Sequence, residues 1–69
     1  MNAATLNHWD LLKLPVTVAE NRLADHNPVL LRRYCMHLLI VCERDKIRPT
    51  FATDSQKAEA LKITVLELN

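Results

Sequence analysis

The amino-acid sequence predicts an all-α fold, a small bundle of three or four helices with a long apolar helix at its centre. Glycine is absent from all 69 residues, and without it tight hairpin turns lose the residue that normally supplies their positive φ angles. Apolar residues recur every three to four positions through most of the chain, the period of a helix that buries one face. Prolines and capping residues divide that pattern into segments of helical length.

The first segment, residues 3–13, carries Leu6, Trp9 and Leu12 or Lys13 at helical spacing. Leu14-Pro15 ends it, because the residue before a proline is pushed out of the helical region. Asn7 offers a later start, with Asp10 then in the first turn. Next, Thr17-Val18-Ala19-Glu20 fits a capping box, in which the threonine oxygen accepts from the third backbone amide and the glutamate reaches back to the cap amide. The short helix expected over residues 18–25 has sparse apolar content (Val18, Ala19, Leu23, Ala24), which places it as an outer element.

Asn27-Pro28 is the strongest local signal. Asparagine is a good cap, and a proline at the first helical position forfeits no hydrogen bond that the helix would have made. The helix it opens is expected from Pro28 to about Asp45. Apolar side chains surround nearly all of it, and only Arg33, His37 and Arg44 form a narrow polar stripe. A helix this apolar is expected to be enclosed by neighbours on several sides. Leu39 then belongs to the core, and Leu39→Ala should cost roughly 2 to 5 kcal/mol by leaving a cavity.

Arg48-Pro49 breaks the helix, and Phe51 is placed to plug one end of the bundle. Thr53 with Gln56 forms a second capping-box pattern, and Ala58, Leu61, Val65 and Leu68 keep a helical period to the end. The β-branched content and alternation of residues 62–68 also admit a short strand. A lone strand needs a partner, so a helix is favoured.

A chain of 69 residues holds a single domain and buries only about 60 % of the surface that its unfolded form exposes. Yet 49 % of it is hydrophobic. That imbalance favours a homodimer, formed through the central helix or the C-terminal segment, or a bound protein partner. Nine basic residues against eight acidic ones leave a net charge of +1, too small an excess for a protein devoted to phosphates. Residues 1–10 lack the basic start and apolar stretch of a secretory leader. Two cysteines make no disulfide framework, and the apolar run 34–42 is about half of the ~20 residues that a membrane helix needs. The expectation is a cytoplasmic protein without membrane association.

No pattern of catalytic or cofactor-holding residues emerges. Cys35 and Cys42 on one helix would lie about 10 Å apart, beyond the ~7 Å limit between α-carbons for a disulfide, and both read as small buried apolar residues. His8, His26 and His37 lack the paired spacing of a zinc site. Neither thiol has an evident base, Ser55 is a helix-start residue, and Glu43 and Asp45 diverge on a helix. The chain is expected to be no enzyme and to hold no cofactor or metal.

Two classes of function remain. The first is a protein–protein interaction or regulatory module that presents a helical surface. Its contact patch would comprise Leu6, Trp9, Leu12 and Lys13, because tryptophan often anchors interfaces. The alternative is a small DNA- or RNA-binding regulator using Arg32, Arg33, Arg44, Lys46 and Arg48, since segments 18–25 and 28–42 imitate a helix-turn-helix. The imitation is incomplete. The second helix has little polar face for base edges, Arg32 and Arg33 are expected to form a solvated edge or salt bridges to acids such as Asp25 or Glu20, and Arg44, Lys46 and Arg48 suit the negative end of the helix dipole.

Overall fold

The computed structural model describes residues 8–68. A 3₁₀ helix, His8–Lys13, leads into α1 (Val16–His26), α2 (Pro28–Arg44), a 3₁₀ turn (Pro49–Phe51) and α3 (Asp54–Leu66). The fold is an all-α small bundle, with no strand among the described residues. Residues 3–7 of the expected first helix, Leu6 among them, lie outside the described residues. The part that is described winds as a 3₁₀ helix and buries Leu11.

The capping box expected at Thr17 does not form. Helix α1 starts earlier, at Val16, with Pro15 in an extended conformation at the cap position and no side-chain cap bond. Thr17 thus lies inside the helix, and the Glu20 carboxylate is drawn instead to the buried hydroxyl of Tyr34. Ala19 and Leu23, one turn apart, are fully buried, so this short helix contributes to the core rather than lying outside it.

A single residue joins α1 to α2. The Asn27 N–H closes α1 on the Leu23 carbonyl, and its side-chain oxygen accepts from Leu30 N at 3.1 Å to open α2. Helix α2 ends in a pair of bonds around a left-handed residue. Ile47 N donates to Cys42 O and Lys46 N to Glu43 O, with Lys46 at φ 57°. That position normally goes to glycine. In a glycine-free chain a lysine occupies it, at a steric cost of roughly 1 kcal/mol. The second predicted capping box is present: Thr53 and Gln56 bond reciprocally at the start of α3. Residues 62–66 are helical, which removes the strand alternative.

Every helix longer than one turn contributes to the core. Leu11, Ala19, Leu23, Leu30, Tyr34, Ala60 and Leu61 form one buried cluster, and Val41, Cys42, Thr64 and Val65 are also buried. The Thr64 hydroxyl donates to the Ala60 carbonyl at 2.7 Å, so its burial leaves no polar group unsatisfied.

The surroundings of α2 differ from the expectation. Helix α3 is its main neighbour and α1 packs less extensively, so among the described residues its far side is open. Leu39 is 54 % exposed and outside the core, Cys35 is exposed while Cys42 is buried, and Phe51 is 68 % exposed and plugs nothing. Among the described residues, no element packs over that side of the 17-residue helix.

Candidate interaction surface

The polar stripe of α2 runs along an edge of α3, where its side chains meet carboxylates while Arg33 and Arg44 stay open to solvent. Arg44 donates in bidentate fashion to Glu59 at 2.5 and 2.9 Å and to its neighbour Asp45 at 2.8 and 2.9 Å. Gln56, from the α3 capping box, adds a bond to Asp45 at 3.1 Å. Two turns back along α2, His37 and Arg33 both meet Glu67, at 2.5 and 3.3 Å. The two helices run antiparallel, and these clusters clasp both ends of their seam. Arg33 therefore pairs with Glu67 and not with Asp25 or Glu20.

These contacts set the charge states. Hydrogen bonds from Arg44 hold Glu59 and Asp45 below the ordinary carboxylate range, and the His37 bond does the same for Glu67. A carboxyl whose pKa is lower folded than unfolded stabilises the fold above its unfolded value and loses that contribution as pH falls through the folded one. We therefore expect stability to decline with acidification below about pH 4.5, the ordinary glutamate value. The effect should be modest because these groups are solvent-exposed. Chemical denaturation between pH 7 and 3 measures it, and Glu59→Gln should flatten the slope. A Glu59→Gln profile parallel to that of the parent would assign the acid response to other groups.

Tyr34 is held in its protonated form. Burial, followed by donation of its hydroxyl to Glu20 at 2.6 Å, drives its pKa far above the usual phenol value, so it stays neutral. Among the described residues no group of three or more His, Cys, Asp or Glu side chains is placed to hold a metal ion. No helix there is long and apolar enough to cross a membrane.

On the side of α2 turned away from α3, Val29, Met36, Leu39 and Ile40 are 78, 53, 54 and 58 % exposed. Their spacing of seven, three and one residues puts them within one sector of the helix. Exposed Arg32 and Glu43 share that sector. A pocket beside Val29, lined also by Asn27, Leu30, Arg33 and Leu68, continues the apolar surface towards the C-terminus.

Of the expected contact patch, Trp9, Leu12 and Lys13 lie within the described residues. Trp9 is 46 % exposed, Lys13 is exposed and paired with Asp10 at 3.5 Å, and Leu12 is half-buried. Leu12 lines a small apolar pocket of about 200 Å³ with Leu11, Leu14, Val16, Ala58, Leu61 and Lys62, and Trp9 is not part of its wall. Of the basic residues, Arg33 and Arg44 are tied to carboxylates, whereas Arg32, Lys46 and Arg48 are exposed. The α1–α2 link is the single residue Asn27, shorter than the three- or four-residue turn of a helix-turn-helix.

A count of apolar residues around a helix does not show which sectors its neighbours can cover. Arg32 and Glu43 interrupt the apolar circumference on the same side as Met36 and Leu39, and charged side chains at that spacing mark a face that water reaches. Comparison of the chain with protein-family models, with curated proteins and with solved structures finds no match.

Proposed function

We propose that this chain is a non-catalytic protein-interaction module of the cytoplasm, self-associating and regulatory in character, which works by presenting a helical surface to another protein. The observation that carries this reading is the exposed α2 sector of Val29, Met36, Leu39 and Ile40. Scattered single apolar residues are normal on a protein surface, but four exposed apolar side chains gathered on one sector of a helix favour burial against a partner. A nucleic-acid role fits less well, because Arg33 and Arg44 are already neutralised within the fold and the open face of α2 is mainly apolar.

The test is binding by the tagged full-length chain in cell extract, compared with a Met36→Asp/Leu39→Asp variant, with and without nuclease. We expect a protein partner that is retained after nuclease, changes little with salt and is lost in the variant. Binding that disappears with nuclease, falls steeply with salt and depends on Arg32 and Arg48 would replace this reading with the nucleic-acid one.

A further inference from the structure

We infer that the occupant of the α2 face is a second copy of this chain, packed antiparallel across a two-fold axis that passes between positions 37 and 38. The inference rests on the interaction reading above and makes it specific. Arg32, Met36, Leu39 and Glu43 follow the alternating four-three-four spacing of a coiled-coil seam. Their order is charged, apolar, apolar, charged, with opposite signs at the two ends. Met36 lies as far before the midpoint as Leu39 lies after it, and Arg32 as far before as Glu43 after.

A two-fold axis at that midpoint sets Met36 of each copy against Leu39 of the other. It also sets Arg32 against Glu43 at both ends of the contact, as a self-complementary interface requires. Parallel pairing would stack Arg32 on Arg32 and Glu43 on Glu43, which like-charge repulsion disfavours. Ile40 flanks the seam and extends its apolar strip.

The charge inventory of α2 fits the same pairing. Its charged residues are Arg32, Arg33, Glu43 and Arg44. Arg33 and Arg44 are engaged with α3 carboxylates and with Asp45. Arg32 and Glu43, the two that bound the apolar strip, have no ion pair among the described residues and stand exposed. Among the described residues, the fold thus leaves unpaired the two charges that a second copy would satisfy.

Charge reversal tests this with exposed side chains that the fold itself does not use, so helicity by circular dichroism should be unchanged. Sedimentation velocity of the purified full chain should show a dimer. Arg32→Glu and Glu43→Arg should each weaken it by about tenfold or more, because each turns two attractive pairs into repulsive ones. The Arg32→Glu/Glu43→Arg double variant should restore it. A chain that stays monomeric up to millimolar concentration, a dimer indifferent to the single reversals, or a double variant no better than the singles would each overturn the pairing. A monomeric chain that still loses a nuclease-resistant partner on Met36→Asp/Leu39→Asp would sink self-pairing and leave the interaction reading standing.

Discussion

Leu23→Ala should destabilise the fold by about 2 to 5 kcal/mol, whereas Leu39→Ala, measured under dilute conditions, should change it by about 0.5 kcal/mol or less. Both substitutions remove the same atoms from a helix, so intrinsic helix preference nearly cancels between them and the surroundings account for the difference. Leu23 is fully buried between α1 and the rest of the core cluster. Truncation there opens a cavity that Ala19, itself minimal in size, cannot fill. Leu39 is more than half exposed, and its removal mainly returns apolar surface to a small side chain. In a fold of this size 1 kcal/mol corresponds to roughly 4 to 8 °C in Tm, so thermal melts separate the two variants. Comparable losses at both positions would mean that α2 is enclosed after all.

Tyr34→Ala should be as damaging, at about 3 to 5 kcal/mol, and Tyr34→Phe should account for about 1 to 2 kcal/mol of that. Tyr34 is the largest fully buried side chain, 1 % exposed, and its hydroxyl reaches Glu20 on α1. The phenylalanine variant keeps the packing and removes only the bond to the carboxylate. Glu20 is half-buried, so water can partly replace the lost donor, which keeps the effect below the full penalty for a buried unpaired charge. Equilibrium denaturation of both variants apportions the site between packing and hydrogen bonding. A phenylalanine variant as stable as the parent would leave the ring alone responsible.

Much of the architecture was written locally. The Asn27-Pro28 start of α2 and the Thr53–Gln56 capping box of α3 appear as the sequence announces them, because a cap is a contact among residues three apart. The absence of glycine pointed correctly away from hairpins, though Lys46 shows that the chain takes a left-handed turn where the end of α2 demands one. The Thr17–Glu20 motif failed for a tertiary reason. Its glutamate has a better use fourteen residues away, on a phenol that the core has stripped of water.

By itself, then, the sequence determined that the chain forms helices, where α2 and α3 begin, and that nearly all of α2's circumference is apolar. Only the tertiary structure decided which sector of α2 is covered. That depends on where the other helices settle around it, with α3 docking along the Arg33, His37 and Arg44 stripe. Periodicity measures how apolar a helix is in each direction, but the neighbours that bury a direction are brought there by distant parts of the chain. The face they leave open, bounded by Arg32 and Glu43, is where this protein meets its partner in the reading proposed above.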